Sequence, residues 1–305
     1  MEKHRKKLIK NVAVFDGHSS GLAQGKKIVI EDDIVTEITA DEVSEENFDE
    51  VFDGTGMVAM PGMTDAHVHM GCLFAKGEFP VDYATVLTVA KCKDALMAGF
   101  TTFRDAGSVS EGLKLAFDEG VLPGPRIYPC GAYISQTCGH GDSEYAHTYR
   151  DIQYRHPSST VLADGVPEII RAVREQFYRG ASHIKLMATE ILNRHEDIRL
   201  LFGTDMMITG PDYQVEQSED IRYYEKRFGT MRALRALTGT ANEVFALTTY
   251  QNPYPKGKIG VLEAGSYADL LLVDGDPTKR VSVLADTDHL RLIMKGGTVY
   301  KNTLC

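Results

Sequence analysis

The chain has 305 residues, 43% of them apolar, enough for a sizeable core in one large domain or two ordinary ones, which excludes intrinsic disorder for its bulk. Lys and Arg number 33 against 43 Asp and Glu, and the formal charge of −10 repels phosphate backbones and anionic lipid heads, excluding nucleic acid and membrane surfaces as expected partners. The longest uncharged apolar stretches, such as Met57 to Met63, fall far short of the roughly 20 residues that cross a bilayer.

The chain opens on Glu2-Lys3-His4-Arg5-Lys6-Lys7, a basic run like the start of a secretion signal, but Leu8-Ile9 is followed at once by Lys10 and Asn11. The expectation is a cytoplasmic protein. Leu8 to Phe15, Lys27 to Ile30 and Ile34 to Ile38 read as short strands joined by turns, and the acidic run from Asp41 to Glu50 reads as a solvated face. From Pro61 to Tyr254 strand and helix signals alternate, as a parallel sheet of βα units requires. Strands are expected at Met57 to Val68, Phe100 to Arg104, Arg126 to Ile134, His183 to Ala188 and Arg199 to Thr204. One helix is expected from Asp82, as N-cap, to Gly99 just past its end. Another starts near Pro167 and carries Ile169, Ile170, Val173 and Phe177 on one face before Gly180. Two more follow the last of these strands, with Thr230 and Thr240 as N-caps. Lys258 to Leu262, Ala268 to Val273 and Leu290 to Tyr300 read as strands again, the last broken by the hairpin signal Gly296-Gly297. Two-stranded pieces are marginal alone, so the two ends are expected to pair into one sheet. The chain thus divides into residues 1–60, 61–254 and 255–305.

The five cysteines, Cys72, Cys92, Cys130, Cys138 and Cys305, are odd in number and contain no Cys-x-x-Cys pair, which argues against a disulfide framework and a thiolate zinc knuckle. Any metal must use His and carboxylate. The sharpest such signal is Pro61-Gly62-Met63-Thr64-Asp65-Ala66-His67-Val68-His69. Residues two apart on a strand share a side, so His67 and His69 present two imidazoles to one cation, with Asp65 on that side as an outer partner. Two merely hydrogen-bonded strand histidines are the alternative, and the position at the carboxyl end of a parallel strand favours the metal. In Ala181-Ser182-His183-Ile184-Lys185-Leu186-Met187-Ala188, two basic side chains share one face. A lysine there must be neutralised, paired, modified, or drawn out to the rim of the sheet. Leu200-Leu201-Phe202-Gly203-Thr204-Asp205 ends an apolar strand in a carboxylate, either a ligand and proton acceptor or a helix cap. Together His67, His69 and Asp205 would leave a fourth position for water, the arrangement of a catalytic zinc site.

These segments, with Ala98-Gly99-Phe100-Thr101-Thr102-Phe103-Arg104-Asp105 and the C-terminal stretch from Gly265 to Pro277, resemble the amidohydrolase superfamily, in particular its imidazolonepropionase-like and Xaa-Pro or Xaa-Arg dipeptidase-like branch. The resemblance implies an α/β fold: a TIM-like (β/α) barrel over residues 61–254, flanked by a small β-sandwich from residues 1–60 and 255–305. It implies one or two divalent metals, His67 and His69 as first-strand ligands, Lys185 as a carbamylated lysine, and Asp205 as last-strand ligand and proton shuttle. It also implies that Cys138-Gly139-His140-Gly141-Asp142 lies near the substrate, with His140 as a contact; an ordinary Gly-rich turn is the alternative. The implied reaction is hydrolysis of a carbon–nitrogen bond in a small molecule, whether a non-peptide amide, a cyclic amide or a dipeptide.

One interval departs from the family. Only residues 189–199 separate the Lys185 strand from Leu200, whereas a single βα unit needs roughly 30, and residues 61–254 fall short of the roughly 200 at the lower end for such barrels. The segment for strands five to seven, with two further histidine ligands, has no match. His195 lies in the short link beside Arg194, Glu196 and Asp197 and reads as an exposed loop residue. The barrel is therefore expected to be incomplete, with open sheet edges that a second copy of the chain could cover, and to hold at most one tight metal, zinc by its ligand types. Two competing readings are a non-catalytic remnant of the family and a cysteine hydrolase using Cys72 near His69.

Overall fold

A computed structural model describes residues 5–70, 81–107, 111–139, 141–142, 160–186, 199–207 and 213–304. The first strands are β1 (Lys6–Val14), β2 (Ala23–Glu31), β3 (Ile34–Thr39), β4 (Glu50–Asp53) and β5 (Val58–Pro61), and the last are β12 (Leu270–Val273), β13 (Leu290–Lys295) and β14 (Thr298–Asn302). They form one sheet in the order β14-β13-β12-β5-β1-β2-β3, with β4 also paired to β1, so both ends of the chain share a sheet. β12 is its seam. Leu270, Leu271, Leu272 and Val273 are all fully buried, Leu271 and Val273 facing the helices and Leu270 and Leu272 a separate cluster with Ile9, Val12, Ile28 and Leu292. A strand covered on both faces reads as a continuous apolar run rather than an alternating one.

Between the ends lie β6 (Met63–His69), α1 (Val81–Met97), β7 (Phe100–Asp105), α2 (Glu111–Asp118), β8 (Arg126–Tyr128), β9 (Tyr133–Ser135), β10 (Thr160–Leu162), α3 (Val166–Tyr178), β11 (Met206–Met207), α4 (Tyr213–Phe228), α5 (Thr230–Leu237) and α6 (Gly239–Phe245). The parallel sheet runs β11-β6-β7-β8, and β9 and β10 pair separately. The architecture is mixed α/β, and among the described residues the parallel strands close no ring.

Several expected elements are corrected. The strand expected from Met57 to Val68 is two, because the chain leaves the terminal sheet at Gly62. There the backbone passes so near Thr101 that a Cβ would sit 2.1 Å from its hydroxyl oxygen. The strand expected from Arg126 to Ile134 also breaks, at 129–132. Of His183 to Ala188, Leu186 makes only an isolated bridge to Ile134, and 187–188 lie outside the described residues. Lys258 to Leu262 contributes only a bridge from Lys258 to Ser266. α1 starts at Val81, so Asp82 lies inside its first turn. Thr230 and Thr240 are not caps: Gly229 and Thr238 precede α5 and α6, and the Thr238 hydroxyl donates back to Leu234 to close α5. α3 buries Ala172 and Gln176 and leaves Ile169 and Ile170 exposed. The Gln176 side-chain oxygen accepts a 2.8 Å bond from the Ala132 amide, and satisfying that buried donor turns the helix away from its apolar pair.

Lys295 gives the fold a pH dependence. It is 7% exposed and donates a 2.5 Å bond to the Gly124 carbonyl. Burial, opposed only in part by Asp269, pushes its ammonium down to about 8 from 10.5. Between these values the unfolded chain binds more protons than the folded one, so stability rises as the pH climbs from about 8 to 10.5 and carries the full cost below 8. Lys295→Met removes that dependence. Urea unfolding at pH 7 and pH 10.5 should show the difference between variant and parent moving in the parent's favour at high pH, by roughly 3 kcal/mol.

Candidate metal centre

On β6, Asp65, His67 and His69 fall on one side of the strand. Residues 199–204, expected as a regular strand, instead run with Asp205 beside β6 as an irregular segment: Ala66 donates to the Phe202 carbonyl and Asp205 donates to the His67 carbonyl, each at 2.8 Å. Gly203 permits this approach, since a Cβ there would lie 2.8 Å from the His67 Cβ. Asp205 then adopts a left-handed backbone (φ +55°), a conformation Asp tolerates better than most residues. Its Oδ1 stands 3.0 Å from His67 Nε2 and 3.3 Å from His69 Nε2, and the ligating atoms of all three residues lie within 4.8 Å of one another.

Lys185 Nζ lies 2.9 Å from His67 Nε2. Burial first, then the Lys185 charge, lower the His67 imidazole to about 4, so it is neutral at physiological pH. The Lys185 ammonium is itself lowered by burial. Arg104 on β7 donates a 3.2 Å bond to the Ala66 carbonyl, and burial lowers it as well. His183, 3.1 Å from the Ser182 hydroxyl, is pushed down to about 3, mainly by burial and then by Arg104.

Asp65 is fully buried and accepts four bonds: from the His67 and Thr204 amides, each at 3.2 Å, from the Thr204 hydroxyl at 2.9 Å and from the Gln217 amide of α4 at 3.1 Å. Burial raises its carboxyl to about 7, and these bonds oppose the rise. Its outer role thus goes to the backbone of His67 and to the 203–205 segment rather than to an imidazole.

The three residues suit a divalent cation. A neutral imidazole carries one ring proton, yet His67 Nε2 faces the Lys185 donor and the Asp205 acceptor at nearly equal distance. With the lone pair at Nε2, that nitrogen and the carboxylate oxygen oppose each other at 3.0 Å, and a cation shared with His69 turns the repulsion into ligation.

The structure thus brings together His67, His69, Asp205 and Lys185, residues from three stretches of chain. His140, Cys72 and His195 lie outside the described residues. Sequence reasoning missed Arg104, Gln217 and Gly203. Arg104 and Gly203 stood within quoted motifs, whereas Gln217 lies in a helix with no motif around it and left no signal. The three described cysteines, Cys92, Cys130 and Cys138, are free. Among the described residues no helix is long and apolar enough to cross a membrane.

Residues 58–198 match the amidohydrolase family. The ochratoxinase of Aspergillus niger is 34% identical over 152 residues, a match covering 43% of this chain and 31% of that protein, so the chain spans about a third of the curated relative's length. Among solved structures, an amidohydrolase superposes with a TM-score of 0.84 at 23% identity, covering 98% of this chain and 100% of the other. A prolidase in complex with N-methylphosphonate-L-proline superposes with a TM-score of 0.83 at 22% identity, covering 97% and 100%. At these identities the two structures speak for the fold.

Proposed function

We propose that this chain, whose residues 58–198 match the amidohydrolase family, is a metal-dependent hydrolase of carbon–nitrogen bonds in small molecules. The observation that carries the reading is the convergence of His67, His69 and Asp205 beside Lys185. In this reading residues 61–254 form an incomplete TIM-like barrel, and residues 1–60 and 255–305 form the flanking β-sandwich. His67, His69 and Asp205 hold one divalent cation, zinc by ligand type. Such an ion supplies Lewis acidity, which polarises a carbonyl and acidifies water.

The chain's own residues do the rest. His67 stays neutral and so keeps a lone pair for ligation. The Asp205 side chain, 71% exposed at the mouth of the site, takes the proton of an attacking water and delivers it to the departing nitrogen. Lys185 either balances this carboxylate as an ammonium or, carbamylated, becomes an anionic ligand. His140 contacts the substrate, and a second copy of the chain covers the sheet edges.

The test is the metal content of the purified, monodisperse chain by elemental analysis, followed by hydrolysis of N-acyl amino acids and dipeptides with and without a chelator. The expected result is a ratio near one and an activity lost on chelation. A ratio near zero that persists after incubation with zinc and bicarbonate sinks the reading and leaves the non-catalytic remnant; two ions per chain corrects the stoichiometry.

A further inference from the structure

Asp205 presents a difficulty for the site it belongs to. Its side chain is 71% exposed, so no packed wall fixes its rotamer, yet its Oδ1 stands within 3.3 Å of both imidazoles. Its position must come from the backbone at 204–205. That backbone is tied to β6 by the Asp205 amide on the His67 carbonyl and, one residue earlier, by Thr204, whose amide and hydroxyl both donate to Asp65. The Asp65 side chain in turn accepts the His67 amide, so one buried carboxyl group fastens the strand that carries the histidines to the segment that carries the aspartate.

The fourth donor, Gln217 Nε2, comes from α4 and is 1% exposed. Of these donors it alone belongs to neither piece being fastened. It sets where the carboxylate sits relative to the helix layer, and α4 is itself held to the same segment. Tyr224 donates a 3.2 Å bond to the Leu201 carbonyl and packs its ring 4.9 Å from that of Phe202. A buried carboxyl group with all its acceptors engaged is rigid, and removing one donor leaves one of its buried oxygens short of a partner.

We propose that Gln217 and Thr204, acting through the buried carboxylate of Asp65, are positioning residues that set the Asp205 carboxylate between His67 and His69. The proposal rests on the metal-centre reading above for its consequence, since partners behind a ligand typically govern metal affinity about 10–100-fold. Its geometric content, the placement of Asp205 against the two rings, holds with or without an ion.

The experiment uses the full chain in four variants: Gln217→Met and Thr204→Val, which keep shape and remove the donor, Thr204→Ser, which restores the hydroxyl, and Asp205→Asn as reference. Zinc affinity is measured by chelator competition, the ligand field by the visible spectrum of the cobalt-loaded chain, and the metal-free site by the ring 1H–15N signals of His67 and His69 at fixed pH. Thermal melting of the metal-free chain reports folding. The expected result is zinc affinity lowered about 10–100-fold in Gln217→Met and Thr204→Val, an altered cobalt spectrum, ring signals displaced toward those of Asp205→Asn, and recovery of all three in Thr204→Ser. Folded variants with parental zinc affinity and unchanged ring signals overturn the proposal. If the parent itself binds no zinc, the hydrolase reading fails separately and the ring signals alone decide: displacement supports the positioning and its absence refutes it. Should Gln217→Met not fold, the Thr204→Val and Thr204→Ser pair decides in the same way.

Discussion

Replacing His67 and His69 together by asparagine abolishes zinc binding and reduces any carbon–nitrogen hydrolysis to the rate in buffer. Asparagine keeps a polar side chain that overlays the inner ring nitrogen but does not reach the position of Nε2, the atom that faces Asp205, so the change removes ligation there. The loss should exceed the about 10–100-fold expected when only a partner behind a ligand is removed. Stability gives a second readout. Zinc at 100 times its dissociation constant stabilises the parent by about 2.7 kcal/mol, and that increment should vanish in the double variant. The single variants should differ in the metal-free state, because His67 also faces Lys185 at 2.9 Å while His69 is turned edge-on to the Tyr133 ring. His67→Asn removes the neighbour that faces the lysine, so it should alter the metal-free chain, whereas His69→Asn should be felt mainly on loading. A double variant that binds zinc as the parent does would place the ion elsewhere and remove the reason for assigning hydrolysis to this site.

Much of this centre was legible because its parts are local. His67 and His69 share a side by the two-residue period of a strand, and Asp205 and Lys185 each stand in an apolar segment where a charged residue needs a reason. What the sequence did not carry was distance. Gln217 reaches Asp65 across the whole α/β region, and no neighbour of Gln217 marks it as anything but a polar residue of an amphipathic helix. The strand limits failed for a related reason. Gly62 and the 129–132 stretch look continuous with their apolar neighbours in one dimension, and only the approach of Thr101 and the demand of the Ala132 amide on Gln176 show why the chain turns there. α3 makes the same point through burial. Its apolar periodicity selects Ile169 and Ile170, but the face that packs is the one that carries Gln176, whose bond to the Ala132 amide spares a buried donor a cost of about 1–3 kcal/mol.

Among the described residues a buried ion pair links the terminal sheet to the parallel sheet, and breaking it on one side should be strongly damaging to the fold. Arg126 on β8 donates from Nε and Nη2 to the two oxygens of Asp269, at 2.6 and 3.1 Å, and the side chains are only 11% and 3% exposed. The guanidinium lies over the Tyr267 ring, 3.9 Å from its centroid, with Tyr254 at 5.2 Å, and Asp269 also accepts the Gly296 amide at 2.6 Å. Asp269 immediately precedes β12, so the pair holds the seam of one sheet against the edge of the other. Asp269→Ala leaves a buried guanidinium without its anion and frees the Gly296 amide, for an expected loss of about 3–5 kcal/mol. That is a large part of the about 5–15 kcal/mol by which folded domains are stable. The urea midpoint should fall accordingly, and the terminal strands should exchange their amides faster than β6 and β7. Arg126→Met with Asp269→Leu removes both charges at once and should lose much less, since a buried pair replaced by apolar side chains is often near neutral. If the double variant is as unstable as Asp269→Ala, the seam depends on the bond to Gly296 rather than on the ion pair, and the junction of the two sheets is a backbone contact instead of an electrostatic one.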